Sequence, residues 1–193
     1  TLDTICWQAK LAGNDAIFDT TYSLASLLRA SMGNTDPYIT VSQELSYIRD
    51  YIQIQKARFR DKIQANIAVE PALMPVMIPN LFFSLLWKMP LSMVWKKKWK
   101  RYYKISGILN DEEETVLFMI HDNGVGMTRA QIEKALDPPP GTKGSFGLSS
   151  VHKRLQLLYG TDFGLKILSD PGKGTTIIIR MPLHVEKAEK EKQ

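Results

Sequence analysis

Apolar residues recur every three or four positions through the first third of the chain, which is the spacing of amphipathic helices. This pattern predicts one helix over residues 1–32, and the turn-forming segment GNTDP at 33–37 ends it. A second helix should follow and run to about Arg60. At its start, Thr40 and Gln43 have the spacing of a capping box, in which each residue's side chain bonds the other's backbone N–H.

From Ile63 onward the period shortens to that of strands. VLFMI is apolar on both faces, which predicts a central strand, while the proline-marked PALMPVMIP predicts an extended connection. Helices are expected at 128–136 and 148–159. The fold class predicted is α/β: a two-layer sandwich in which helices cover one mixed sheet, preceded by part of a helical hairpin. Five segments are predicted strands: IQANIAVE, YKISGILN, TVLFMIHD, GLKILSD and TTIIIRMPL.

Composition adds a size limit and one local anomaly. The 193 residues, 44% of them hydrophobic, suffice for one core. A single cysteine, Cys6, cannot form an internal disulfide, which fits a reducing compartment. The longest apolar run, at 78–87, is too short to span a bilayer. Six positive charges lie within residues 96–104, and removing them turns the net charge of +5 into −1, so the basic character is local.

Three glycine-containing segments carry the candidate chemistry. DNGVG, at 122–126, follows a predicted strand; it is either an ordinary turn or a strand end where Asp122 accepts hydrogen bonds and glycines let a ligand approach the backbone. GTKGSFG runs directly into a helix, where free N–H groups and Lys143 suit a phosphate chain, although a mobile loop has the same composition. GKGTT, taken alone, is a hairpin turn.

In this order, DNGVGM, GSFGLSSVHKRLQLLYG and DPGKGTTIIIRMPL resemble the ATP-binding domain of sensor histidine kinases. That domain has the Bergerat fold, which gyrase, a class of heat-shock chaperones and MutL share. SQELSYIRDYIQIQKARFRDKI resembles the second dimerisation helix of the LytS/YesM-like kinases. The resemblance implies a partial dimerisation region at 1–61, an ATPase domain at 62–184 and a disordered tail at 185–193.

The resemblance also implies a role for each matched residue. Asp122 should accept from the adenine amino group, with Thr175 assisting through a water. Glycines after the strand should shape the pocket floor, and those before the next helix should line the lid. The reaction implied is transfer of the ATP γ-phosphoryl group to a histidine nitrogen and then to an aspartate, with Mg²⁺ bridging the phosphates. The expected ATP-binding residues are Asp122, Gly124, Gly126, Met127, Lys143, Gly144, Gly147, Leu148 and Thr175.

One departure from the family concerns the acceptor histidine. His121, His152 and His184 match no acceptor position and are interpreted as a strand-end, a helix-surface and a tail residue. We therefore expect this chain to be a fragment whose acceptor lies N-terminal to it. The expected partners are a response regulator and a second copy bound through the helical region, not nucleic acid. The expected location is the cytoplasmic side of a membrane-anchored sensor.

The other departure is the stretch LFFSLLWKMPLSMVWKKKWK at 81–100, which holds three of the four tryptophans. Here the family has an N box, whose asparagine holds magnesium and whose glutamate orients groups near the phosphates; Lys88 and Met89 stand at those two positions. Reading the codons one base earlier forces glutamate across Trp87–Lys88 and alanine across Met89–Pro90. We hypothesise a frame slip over about 81–101; the alternative is a divergent N box. Met89 offers no oxygen to magnesium, so weak ATP binding is expected.

Two competing interpretations remain. The chain is either a kinase part or a Bergerat-type module that binds a nucleotide or a partner without catalysis. A nucleic-acid function would use WKKKWKRYYK, where aromatic rings among lysines could stack on bases. The frame slip explains the same residues without it.

Overall fold

The computed structural model describes residues 1–33, 36–80, 100–110, 112, 114–139 and 146–183. Its helices are α1 (Leu2–Leu11), α2 (Asp15–Gly33), α3 (Val41–Phe59), α4 (Arg129–Leu136) and α5 (Phe146–Tyr159). Its strands are β1 (Tyr38–Thr40), β2 (Ile63–Val69), β3 (Met77–Pro79), β4 (Arg101–Asn110), β5 (Thr115–Asp122), β6 (Gly164–Ser169) and β7 (Thr175–Pro182). Short 3₁₀ turns occupy Arg60–Lys62 and Pro71–Leu73.

The prediction of one helix over residues 1–32 is wrong, because a turn at residues 12–14 separates α1 from α2. Gly13 adopts φ 67°, a left-handed conformation that ends a helix readily. The Asn14 side-chain oxygen then accepts from Ile17 N at 3.1 Å, which satisfies a donor at the start of α2. A stop signal and a start signal therefore stand side by side, and apolar spacing alone hides them.

The start of α3 confirms the predicted capping box. The Thr40 hydroxyl accepts from Gln43 N at 3.1 Å, and the Gln43 side chain accepts from Thr40 N at 2.9 Å. Just before this cap, β1 pairs antiparallel with β3. The connection predicted as merely extended therefore contains a paired strand, which three residues are too few to reveal by alternation.

A five-stranded sheet forms the second layer, in the order β2-β4-β5-β7-β6. β2 and β4 are parallel and every other neighbouring pair is antiparallel, so the sheet is mixed and β5 is central, as predicted. Alternate residues of β7 are buried. The α/β architecture with preceding helices is thereby confirmed.

The core lies between this sheet and the helices. From α3 it takes Val41 and Ile48, from the sheet Ile105 and Phe118, and from α5 Leu155, each at most 3% exposed. α3 thus shares its core with the strands. The boundary between a helical region and an ATPase domain at residue 61 stays a prediction, and the core is continuous across it. The 81–99 segment and the 185–193 tail lie outside the described residues.

Candidate nucleotide site

Asp122 ends the central strand, directly opposite Thr175 at the start of β7. Its Oδ1 accepts from Gly124 N at 2.7 Å. Burial raises the pKa of the Asp122 carboxyl, and hydrogen bonds from the backbone of Gly124 and Thr175 partly oppose that rise. The strand pairing therefore brings together a half-buried carboxylate and a hydroxyl, the two groups that the family resemblance led us to expect beside an adenine.

Asn123 fastens this strand end to β4 and was not predicted to matter. Its Oδ1 accepts from Tyr102 N at 2.9 Å, and its Nδ2 donates to Lys100 O at 2.9 Å. The amide side chain thus satisfies the backbone of the chain entering β4. The sequence indicated a turn at Asn-Gly, and for that reason these two side-chain hydrogen bonds of Asn123 were not predicted.

Two glycines beyond the strand end pack against backbone. Gly126 has φ 69°, and a Cβ there would lie 2.7 Å from Asp170 C and closer still to Asp170 O. Gly174 has φ 86°, and a Cβ there would press on the Asp122 carbonyl. Each glycine is therefore required by its conformation and by its neighbours. They let the loop after β5 lie directly on the β6–β7 turn.

The Ser169 hydroxyl joins these segments and was also absent from the predicted site. It accepts from Met127 N at 2.8 Å and donates to Gly174 O at 2.7 Å. It also lies 3.0 Å from Thr175 Oγ1. Nothing in the local sequence signals this role, because it depends on the pairing of β6 with β7.

The remaining predicted residues lie near the start of α5. Gly147 and Leu148 are in its first turn, and Leu148, like Met127, is partly buried against the core. Lys143 and Gly144 lie outside the described residues. Five of the predicted residues thus lie where β5 ends and β7 begins: Asp122, Gly124, Gly126, Met127 and Thr175. Gly147 and Leu148 lie on the helix after the predicted lid.

His152 differs from its interpretation as a helix-surface residue. It is half-buried, and its Nδ1 accepts from Leu165 N at 3.0 Å, so the neutral ring must carry its proton on Nε2. Burial lowers the pKa of this imidazole, and the neighbouring Lys153 lowers it further. His121 Nδ1 lies 2.9 Å from Thr176 Oγ1 at the strand end, as expected. Position 184 is outside the described residues.

Within the described ranges, no group of three or more His, Cys, Asp or Glu side chains could hold a metal ion. Asp122 and Thr175 instead place two oxygen atoms that can accept hydrogen bonds side by side, at paired positions of β5 and β7. The same part of the chain holds no helix that is long and apolar enough to cross a bilayer.

Two stretches of the chain match known families. Residues 1–63 match the family Histidine kinase, and residues 101–185 match the family Histidine kinase-, DNA gyrase B-, and HSP90-like ATPase. The two matches leave residues 64–100 between them.

Similar proteins agree with this assignment. The chain is 28% identical over 186 residues to the sensor histidine kinase YesM of Bacillus subtilis, covering 96% of this chain and 31% of YesM. It is 23% identical to the sensor histidine kinase BtsS of Escherichia coli, covering 82% of this chain and 26% of BtsS. The chain thus spans about a third or less of these relatives.

Solved structures show the same fold. The histidine kinase domain of the blue-light activated histidine kinase from Erythrobacter litoralis superposes with TM-score 0.54 at 16% identity, covering 90% of this chain and 82% of that one. The mycobacterial sensor histidine kinase MprB gives TM-score 0.53 at 14% identity, covering 77% of this chain and 98% of that one.

The two family matches identify a histidine kinase region followed by a histidine kinase-like ATPase domain, and the fold agrees with both. Among sensor histidine kinases the chain is similar to YesM, and the matched regions correspond to the ATP-binding catalytic region of such a kinase. Sensor histidine kinases are protein-histidine kinases, and their ATPase domain binds ATP.

Proposed function

We propose that this chain binds the adenine of ATP at Asp122 and Thr175, as part of a kinase that transfers the γ-phosphoryl group to a histidine nitrogen. The observation that carries the proposal is the Asp122 carboxyl. It is half-buried at the end of β5, and Gly124 N holds its Oδ1. A carboxylate only accepts hydrogen bonds, which suits the exocyclic amine of adenine and opposes the carbonyl of a 6-oxopurine.

The decisive experiment compares ATP with ITP, which carries an oxygen in place of that amine. We expect ATP to bind more tightly, and Asp122→Asn to remove most of the difference, because the amide also offers a donor to the oxygen. The matched control is Asp170→Asn: this carboxylate is exposed, contacts Lys173 at 3.3 Å and lies in the neighbouring turn. Equal affinities for ATP and ITP in the unsubstituted protein would exclude the proposed base site.

The loops before and within the predicted lid complete the proposed site. Gly124, Gly126 and Met127 would form its floor, while Lys143, Gly144, Gly147 and Leu148 would enclose the phosphates. Support comes from the position of Gly147 in the first turn of α5, since N–H groups at a helix start bind anions. Lys143→Ala should weaken ATP binding while leaving adenosine binding unchanged.

We further propose that the magnesium-binding asparagine of the N box is replaced here by Met89, with Lys88 in place of the glutamate. Support comes from the codon argument and from the interval 64–100, which neither family match includes. Magnesium supplies charge neutralisation at the phosphates when it is bound, and a thioether is a poor ligand for so hard a cation. Nucleotide affinity should therefore change little when magnesium is added.

The variant Lys88→Glu/Met89→Asn tests this directly. It should bind ATP more tightly with magnesium than without, whereas the unsubstituted chain should not. Strong magnesium dependence in the unsubstituted chain would refute the replacement. If the double variant uses magnesium but the unsubstituted chain binds ATP without turning it over, the alternative function describes this chain: a catalytically inactive Bergerat-type nucleotide-binding or partner-binding module.

We propose that the phosphoryl acceptor lies N-terminal to residue 1. Each histidine in the described residues has a ring nitrogen in a hydrogen bond within the fold, His121 with Thr176 and His152 with Leu165. The subsequent recipient would be an aspartate of a response regulator. The parent protein would be a membrane-anchored sensor whose kinase part faces the cytoplasm. Phosphorylation of a peptide that carries the upstream histidine would support this order, and phosphorylation of His121 or His152 would contradict it.

We propose that two copies pair through the N-terminal helices. Trp7 and Leu11 lie one turn apart on α1 and are 69% and 83% exposed, and Met32 on α2 is 84% exposed. Neighbouring exposed apolar side chains mark interaction surfaces, whereas a single one does not. Sedimentation should show a dimer, and Trp7→Lys/Leu11→Lys should shift it toward monomer. Leu157→Lys, at a residue 87% exposed on α5, is the matched control and should leave the dimer intact.

A further inference from the structure

The Ser169 hydroxyl uses its full hydrogen-bonding capacity beside the end of β5 and the start of β7. A serine hydroxyl has one proton and two acceptor lone pairs. The proton goes to Gly174 O, because a carbonyl only accepts. One lone pair takes the N–H of Met127. Thr175 Oγ1, at 3.0 Å, is left with the second lone pair.

This accounting fixes the direction of the bond between the two hydroxyls. Ser169 has no second proton, so Thr175 must donate to Ser169. The only hydroxyl proton of Thr175 is thereby committed, and Thr175 Oγ1 presents only lone pairs to any further partner. Thr175 is 7% exposed and Ser169 is half-buried, so water competes little for these bonds.

We propose that Ser169 is a positioning residue that makes Thr175 an acceptor and so contributes to the preference for a 6-aminopurine over a 6-oxopurine. The inference rests on the proposed adenine site. Two acceptors, the Asp122 carboxylate and the Thr175 hydroxyl, then line one edge of that site. A hydroxyl that is free to rotate would instead donate to the oxygen of a 6-oxopurine and relax the choice.

The contacts of Ser169 also hold three segments in register. Met127 lies in the loop after β5, and Gly174 belongs to the turn between β6 and β7. A loss of ATP affinity on substitution could therefore come from a general loosening of the site. The selectivity between ATP and ITP separates the two causes, because loosening weakens both nucleotides whereas a reoriented hydroxyl changes their ratio.

The test is a double-substitution cycle measured as the ratio of ITP to ATP dissociation constants, without magnesium so that the base pocket dominates. Ser169→Ala should lower the ratio by roughly three- to tenfold, about the value of one hydrogen bond. Thr175→Val, which removes the hydroxyl, should also lower it. Because Ser169 acts through that hydroxyl, adding Ser169→Ala to Thr175→Val should change the ratio no further.

Two controls complete the experiment. Ser169→Thr keeps a hydroxyl and should restore the ratio. Ile179→Val removes one methylene from a fully buried position on β7, the strand that begins at Thr175. It should lower stability but leave the ratio of dissociation constants unchanged. The role is overturned if Ser169→Ala lowers the ratio by the same factor in the Thr175→Val background, or leaves it unchanged in the parent. A parent chain that does not distinguish the nucleotides at all would refute the adenine site itself, before any substitution is made.

Discussion

Replacing Gly174 by alanine tests whether the β6–β7 turn holds Asp122 in place. Gly174 and Gly172 belong to the same turn and have nearly the same backbone angle, φ 86° and φ 84°. A Cβ at Gly172 would meet nothing within 4 Å. A Cβ at Gly174 would stand 3.0 Å from Asn123 Cα and from Asp122 C, and closer to Asp122 O. The two positions therefore differ in the contacts that a Cβ would make, while their φ angles are nearly the same.

Comparing the two glycines gives the expected loss of stability for each substitution. Alanine in a left-handed conformation costs about 1–2 kcal/mol, and Gly172→Ala should lose only that much. Gly174→Ala adds an overpacking cost of about 1–3 kcal/mol, because backbone atoms cannot rotate away as a side chain can. The loss of unfolded-state freedom is common to both and cancels in the comparison. We expect the free energy of unfolding of Gly174→Ala to lie below that of Gly172→Ala by the overpacking cost.

Urea unfolding measures the stability difference, and titration with ATP measures its consequence for the site. The end of β5 must shift to admit the new methyl group, so Asp122 moves and ATP affinity should fall in Gly174→Ala but not in Gly172→Ala. Should both variants unfold within about 0.5 kcal/mol of each other, the usual scatter for surface changes, the contact would have no energetic weight. Should they also bind ATP alike, the claim that this turn positions Asp122 would be refuted.

Three further outcomes follow from the same structure. Thr40→Ala removes the capping box and should lower the free energy of unfolding by about 1 kcal/mol. Thr20→Ala, which removes only a hydroxyl bonded to Ala16 O within α2, should change it by less than about 0.5 kcal/mol; equal losses in urea unfolding would contradict the role of the capping box. Burial lowers the pKa of His152 from its ordinary 6.5, so protonation of this ring favours the unfolded chain. The stability that His152 contributes should be complete above pH 6.5 and fall as the pH drops below it. His152→Gln, which still accepts from Leu165 N, should flatten this dependence of stability on pH, measured by thermal unfolding. Burial raises the pKa of Asp122 above 3.8, so on acidification ATP affinity should be lost at a higher pH than with an ordinary carboxyl. Asp122→Asn should raise the free energy of unfolding at neutral pH, because the folded state no longer holds a charge that burial destabilises. An unchanged or lower free energy of unfolding would refute this sign.

Prediction from sequence succeeded where the determining interactions are local. The capping box at Thr40 lies within four residues, and the all-apolar VLFMI reports the two-sided burial of β5 directly. The break at Gly13 was also local, yet apolar spacing continued across it and masked the Gly-Asn signal. The paired strand at Met77–Pro79 is too short to show a period. Length of the signal, more than its strength, separated the elements that were predicted from those that were not.

The site divides in the same way. Asp122 and Thr175 could be placed because each stands at the end of a recognisable strand within a glycine motif. Ser169 and Asn123 could not, because their partners lie on other strands and become neighbours only through the pairing of β6 with β7 and of β4 with β5. His152 was assigned to the surface because helical spacing does not show that β6 begins beside it.

The two halves of the proposed site therefore depend on different parts of the chain. The base half is built from β5, β6 and β7, whose hydrogen bonds through Asp122, Ser169 and Thr175 connect only described residues. The phosphate half would draw on the 81–99 segment, where we propose that Met89 stands in place of a magnesium ligand. A defect there leaves the hydrogen bonds of the base half unchanged. Recognition of adenine and use of magnesium should consequently be separable in this protein, so weak binding of ATP with magnesium would not by itself argue against the adenine site.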